Sequence, residues 1–256
     1  MKTLIFTNQK GGTGKTTSAV SVAAGLSRRG YKVLLVDTDP QGNATTAAGV
    51  VPDESENTTY EILKGTATAS DAIKTTAGGY DIIPTDIRQS NANIELSMTK
   101  GRNHLIKEAL KGIDDRYDFA IIDSPPNLGA ITIAGLTAAD GVIIALKADY
   151  LSLKGVAQLR DTIEIVRRKL NPQLEVVGVL LTFYDSRKNL DSEVAAKAAE
   201  GFPGKIFETK IAQAVALAEA PAKGEDIFTY QPNSKAAKQY EAITDEILKR
   251  LKTKRK

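Results

Sequence analysis

One run near the N-terminus, Gln9-Lys10-Gly11-Gly12-Thr13-Gly14-Lys15-Thr16-Thr17, limits the fold more than any other feature. It follows a short apolar stretch, Leu4–Thr7. After it comes a segment with Ala19, Val20, Val22, Ala23 and Leu26 at helical spacing, ended by Gly30. A glycine-rich loop between a strand and a helix lets the backbone curl and aim successive N–H groups at anionic oxygens. The helix that follows adds the positive end of its dipole to the same anion. A lysine at position 15 then suits β- and γ-phosphates, and the Thr16 hydroxyl suits Mg2+. Gly11 through Thr17 are therefore expected to form a phosphate-binding loop. The second lysine, Lys10, is not required by the general motif.

The rest of the chain alternates in the same way. Val33–Val36 is an apolar block ending at Asp37, and similar blocks recur at Phe119–Ile122, Val142–Leu146 and Val176–Leu181. Continuous apolar blocks mark strands buried on both faces of a parallel sheet. Helical patterns lie at Leu105–Leu110 and Leu153–Leu170, and a last one runs over Ser234–Leu251 with Ser234 as N-cap. The pattern predicts an α/β fold: a single-domain, doubly wound, mostly parallel sheet of the P-loop NTPase type. It spans residues 1–256, with a C-terminal helix and a basic tail. Gly42–Asn57 is small and polar and reads as a mobile loop beside the second strand. Ala77–Arg102 reads as a short strand, Tyr80–Ile83, with a polar helix.

Composition removes other classes. With 42% hydrophobic and 25% charged residues, the chain of 256 residues can bury an ordinary core. It has no cysteine, which excludes a disulfide framework, cysteine-ligated zinc or iron–sulfur sites, and thiol catalysis. The one histidine, His104, is expected on a helix surface. No apolar run approaches the roughly 20 residues of a membrane span, and no leader pattern precedes the first strand. The expectation is a cytoplasmic chain with no membrane partner.

Carboxylates follow two of the apolar blocks. One block leads into Asp37-Thr38-Asp39-Pro40-Gln41-Gly42-Asn43, the other into Asp123-Ser124-Pro125-Pro126. In a parallel sheet both strand ends lie on the edge that carries the phosphate loop. Asp123 fits the position that holds Mg2+ together with Thr16. Asp39 is placed to orient an attacking water or to sense the terminal phosphate, and Asp37 is given no ligand role.

Lys10-Gly11-Gly12-Thr13-Gly14-Lys15-Thr16-Thr17 resembles the deviant Walker A box. With Asp37 through Thr45, Tyr117-Asp118, Asp123 through Gly129, Leu136 through Gly141 and Glu219-Ala220-Pro221, it is similar to the ParA/Soj partition ATPases of the ParA–MinD superfamily. The resemblance runs from Lys2 to about Leu251. It implies an ATPase that uses ATP and Mg2+ and dimerises around two ATP molecules. It implies nonspecific binding of double-stranded DNA by the ATP homodimer, with hydrolysis stimulated by a ParB-like or cargo-adaptor protein. By position it implies that Lys10 reaches the partner's phosphates, an arrangement with the logic of an arginine finger. It assigns Lys15 to the phosphates, Asp39 to catalysis, and Thr16 and Asp123 to the metal. Pro232 and Asn233, in Tyr230-Gln231-Pro232-Asn233, would line the adenine pocket. The family's longer members carry an N-terminal DNA-binding domain, which this chain is expected to lack. A nucleoid location follows, with a plasmid, chromosome or protein body as cargo. A MinD-like membrane-cycling role would need bulky apolar residues that Lys252-Thr253-Lys254-Arg255-Lys256 lacks.

Nonspecific DNA binding needs clustered Lys and Arg rather than a high net charge, which here is +3. Six of the last eight residues are basic: Lys249, Arg250, Lys252, Lys254, Arg255 and Lys256. Arg187 and Lys188 form a second spot, with Arg187 matching the family's Asp-Ala-Arg pattern. Many family members carry Pro-Arg-Asn-Val-Arg where this chain has Ala212-Gln213-Ala214-Val215-Ala216, so two basic positions become Gln213 and Ala216. Lys147 and Lys154 are also unlike the family, which more often has uncharged or acidic residues there.

Overall fold

A computed structural model describes residues 1–88 and 101–253, with backbone only over 150–154. The apolar blocks form β1 (Lys2–Thr7), β2 (Val33–Asp37), β5 (Phe119–Asp123), β6 (Gly141–Lys147) and β7 (Glu175–Thr182). Short strands β3 (Lys74–Thr75) and β4 (Asp81–Ile83) complete a seven-stranded sheet of order β3-β4-β2-β5-β1-β6-β7. All pairings are parallel except β3 with β4 at the edge.

Period-two alternation along each strand splits the core into two layers. Leu4, Phe6, Leu35 and Ile121 face one side. There they meet α1 (Lys15–Ser27) through Ala19 and Val22, and α11 (Lys235–Arg250) through Tyr240, Ile243 and Ile247. Ile5, Leu34, Val36 and Ile122 face the other side. That layer is closed by α5 (Leu105–Lys111), α6 (Ala130–Ala138), α7 (Tyr150–Lys169) and α8 (Asn189–Gly201). Short helices fill the connections: α2 (Asn43–Ala47), α3 (Thr59–Lys64), α4 (Ala69–Ala72), α9 (Ala216–Glu219) and α10 (Ile227–Tyr230). Ser234 caps α11 as expected, accepting from the Ala237 amide at 3.1 Å. Among the described residues no helix is long and apolar enough to cross a membrane.

Two expectations need correction or limits. Gly42–Asn57 is not one mobile loop. Residues 43–47 form α2, in which Ala44, Thr45 and Ala47 are buried, because the Asp37 carboxylate holds Thr45 by its amide and its hydroxyl. Of the stretch Ala77–Arg102, the strand is present as Asp81–Ile83, and the expected polar helix falls mostly outside the described residues.

Candidate nucleotide site

The loop between β1 and α1 lies at the carboxyl edge of the sheet, where β1 sits between β5 and β6. Gly12 and Gly14 adopt φ of 69° and 77°, in the left-handed region that favours glycine. No side chain caps α1 and its first turn has no acidic residue, so its leading N–H groups face the loop uncompensated. The loop is fixed from two neighbouring strand ends. Asn8 Nδ2 donates to the Ala145 carbonyl at 2.6 Å, and Thr182 Oγ1 donates to the Thr13 carbonyl at 2.8 Å.

A cavity of about 540 Å3 opens over the loop, within the size range of small-molecule sites. Gly11 through Thr17 line it on one side, and Asp39, Gln41 and Asn43 on another. Pro126, Phe183, Leu217, Ala218 and Pro221 supply an apolar wall. Lys15 is 5% exposed. Burial lowers its pKa, while the nearby Asp123 and Asp39 charges oppose that shift.

Asp37 and Asp123 are register partners on β2 and β5, and both are fully buried. Burial raises both carboxyls above the usual carboxylate range, and the charge of Asp37 adds to the rise at Asp123. Their surroundings separate their roles. Asp37 accepts from the Thr45 amide at 2.8 Å, the Thr45 hydroxyl at 2.7 Å and the Asp39 amide at 3.1 Å. It is the anchor that folds residues 38–45 and brings Asp39 to the cavity. Asp123 accepts from the Thr16 hydroxyl through Oδ2 at 2.6 Å, while Oδ1 is buried without a hydrogen-bond partner. A buried, unpartnered carboxylate oxygen beside a threonine hydroxyl suits a hydrated divalent cation. Among the described residues no group of three or more His, Cys, Asp or Glu could hold a metal alone. Mg2+ takes one or two protein oxygens, which Thr16 and Asp123 offer, and completes its shell with phosphates and water.

Lys10 does not line the cavity. Its Nζ donates to both carboxylate oxygens of Asp149 at 2.9 Å. Asp149 was missed in the sequence, although it follows an apolar strand as Asp37 and Asp123 do. Lys147, at the end of β6, places its Nζ 3.8 Å from the same carboxylate and 5.3 Å from the Phe183 ring centroid. The Lys154 side chain lies outside the described residues.

The expected adenine residues Pro232 and Asn233 lie outside the cavity lining. Both are exposed in the turn that Ser234 ends by capping α11. The Tyr230 hydroxyl donates to Glu219 at 2.9 Å. The cavity's apolar wall joins Phe183, just beyond β7, to Leu217, Ala218 and Pro221, which lie in and just before the Glu219-Ala220-Pro221 segment. His104 is exposed at the end of a 3-10 turn, as expected of a surface residue.

The basic residues do not form one patch. Arg187 and Lys188 are exposed just beyond the carboxyl end of β7, with the Arg187 guanidinium on Asp185 at 2.7 Å. Arg250 is partly buried. Its guanidinium donates to the Val177, Lys205 and Ile206 carbonyls and to Glu246, and it stacks on Phe207 at 4.1 Å. Since Val177 lies early in β7, the end of α11 is at the opposite side of the sheet from Arg187. Lys249 and Lys252 are exposed there, and Lys254, Arg255 and Lys256 fall outside the described residues.

Known proteins match this arrangement. A family profile described as an AAA domain matches residues 1–176. The sporulation initiation inhibitor protein Soj of Bacillus subtilis is 42% identical over 247 residues, covering 96% of this chain and 98% of Soj. The chromosome partitioning protein ParA of Caulobacter vibrioides is 38% identical over 253 residues, covering 98% and 95%. A solved structure named cobyrinic acid a,c-diamide synthase from Mycobacterium smegmatis, with a bound ATP analogue and magnesium, has a TM-score of 0.87 at 35% identity. It covers 98% of this chain and 96% of that one. With near full-length identity to Soj and ParA, and with the phosphate loop and strand-end carboxylates set on a mostly parallel sheet, the chain belongs to the ParA/Soj family of P-loop ATPases.

Proposed function

We propose that the chain is a Mg2+-dependent partition ATPase. Its ATP-bound homodimer holds double-stranded DNA without sequence preference, and a ParB-like or cargo-adaptor partner stimulates the hydrolysis that releases it. The observation that carries the reading is the content of one cavity edge. An uncapped helix N-terminus, Lys15, the Thr16–Asp123 pair and Asp39 converge there, while a second loop lysine, Lys10, points outside its own cavity to Asp149. The loop amides and Lys15 bind the β- and γ-phosphates. Thr16 and Asp123 would hold Mg2+, which when bound offsets charge on the phosphates. Asp39 orients the attacking water. Lys10 stabilises the partner's transferring phosphoryl group from across the dimer. The names of Soj and ParA support a partition role, and the nucleoid is the place where such a DNA-bound dimer would reside.

The test separates binding from turnover. Lys15→Ala should abolish ATP binding. Asp39→Ala should bind ATP, lose hydrolysis and accumulate as the dimer. Equal loss of ATP binding in both variants would overturn the division of roles. The name of the Mycobacterium smegmatis relative raises amide synthesis as a second reading. Under it, turnover would require a carboxylic acid acceptor, and ATP hydrolysis by the chain without one would remove it.

A further inference from the structure

Lys147 has no part in the phosphate site, yet it shares a carboxylate with Lys10. The three side chains form a row beside the loop. Lys10 Nζ binds both oxygens of Asp149 at 2.9 Å, and Lys147 Nζ stands 3.8 Å from Asp149 Oδ2. All three are partly exposed, at 35%, 27% and 41% for the side chains of Lys10, Asp149 and Lys147. The position of Lys147 is set from two directions. Its backbone is paired with Thr182 at the end of the sheet, and its ammonium lies over the Phe183 ring. Phe183 in turn lines the nucleotide cavity and holds a left-handed backbone at φ 54°.

We propose that Lys147 is a positioning residue for ATP-driven dimerisation: it takes over Asp149 when Lys10 leaves for the partner's phosphates. The inference rests on the reading of Lys10 as a cation supplied in trans. If Lys10 leaves, Asp149 loses a bidentate cation just as a second triphosphate brings more negative charge to the same edge. A carboxylate there opposes assembly through like-charge repulsion. Lys147 needs only a small rotamer change to move from 3.8 Å into hydrogen-bond range. An exchange of one lysine for another keeps an ammonium on the carboxylate, so the release of Lys10 costs less.

The experiment is sedimentation or light scattering of the full chain with a slowly hydrolysed ATP analogue and Mg2+, beside analogue binding by the monomer. Lys147→Gln should bind the analogue as wild type does, yet need about fivefold more protein to dimerise, the scale of one partly exposed ion pair. Lys147→Arg should restore wild-type assembly. In an Asp149→Asn background no charge remains to be covered, so adding Lys147→Gln should change nothing. Wild-type dimerisation of Lys147→Gln would overturn the hand-over. So would a defect that persists in the Asp149→Asn background, because Lys147 would then act elsewhere. Lys10→Ala keeps the two readings apart. If it dimerises and turns over normally, the trans reading itself falls. If it is impaired while Lys147→Gln is normal, the trans reading stands and only the hand-over is lost.

Discussion

Asp123 accepts from the Thr16 hydroxyl on one oxygen and leaves the other buried and unpartnered. Burial raises its pKa, and the neighbouring Asp37 adds to the rise. A carboxyl whose pKa is higher in the folded chain than in the unfolded one holds its proton more tightly when folded. Stability is therefore lost as pH rises from the ordinary carboxylate range through the raised value. Asp123→Asn removes the charge and the loss with it. The ligand-free variant should be more stable than wild type by about 1–3 kcal/mol above the raised pKa, the scale of an uncompensated buried polar group. The gain should vanish in acid, where the wild-type carboxyl is protonated. Stabilisation by Mg-ATP should be lost in the variant. Thermal melts with and without Mg-ATP, at one acidic and one alkaline pH, check all three statements. A variant less stable than wild type at every pH would mean that the bond to Thr16 outweighs the buried charge. In the sequence Asp37 and Asp123 each follow an apolar block, and only Asp123 was given a ligand role. Their partners supply the physical difference: Thr45 encloses one, and an orphaned oxygen marks the other.

At the scale of elements, the strands and long helices were legible because their cause is local. Apolar runs at β1, β2, β5, β6 and β7 must be buried on both faces, and Ser234 announces the start of α11 by its own hydroxyl. What was not legible depends on contacts made at a distance. The helix at Asn43–Ala47 exists because Asp37 reaches Thr45, so its polar sequence reads as a loop. The apolar wall of the cavity brings Phe183 against the stretch that holds Leu217 and Pro221, a meeting that no local pattern announces. The contact between α1 and α11 is another long-range feature, and it turns on one glycine. A Cβ at Gly25 would lie 2.4 Å from Thr244 Oγ1, and that hydroxyl already donates to the Tyr240 carbonyl at 2.7 Å. Alanine gains about 1 kcal/mol of helix propensity over glycine, but overpacking a buried contact costs about 1–3 kcal/mol. The clash is with a locked group, so the cost wins. Gly25→Ala should lower the denaturation midpoint, and Gly25→Ala with Thr244→Ala should recover most of the loss. A midpoint at or above wild type for the single variant would show that α11 can move outward freely.

The whole molecule places its two basic regions at opposite ends of β7. Val177, where Arg250 docks, and Thr182, beyond which Arg187 and Lys188 emerge, are five residue steps apart along β7. That is roughly 16 Å of strand, at about 3.3 Å per residue. Arg187 and Lys188 share the carboxyl edge with the phosphate loop, so the proposed dimerisation across that edge would fix both copies relative to each other. The exposed Lys249 and Lys252 leave from the opposite edge and feel little of it. The two regions should therefore contribute differently to DNA binding. If each subunit supplies about three phosphate contacts, the dimer makes about six, and affinity should fall roughly 10³-fold between about 50 and 200 mM salt. Arg187→Ala with Lys188→Ala should remove the part of the affinity that appears only with the ATP analogue. Deletion of residues 252–256 should weaken binding by a similar factor with the analogue, with ADP and with no nucleotide. Both changes should reduce the salt slope and act alike on all sequences, because phosphate contacts carry no sequence information. Anisotropy titrations of duplex DNA across salt and nucleotide states measure each of these terms. Equal wild-type binding in all three nucleotide states would refute the switch. If tail deletion alone abolished the ATP-dependent part, the DNA would have to bind at the amino edge of the sheet, with the nucleotide acting on it through the length of the strands.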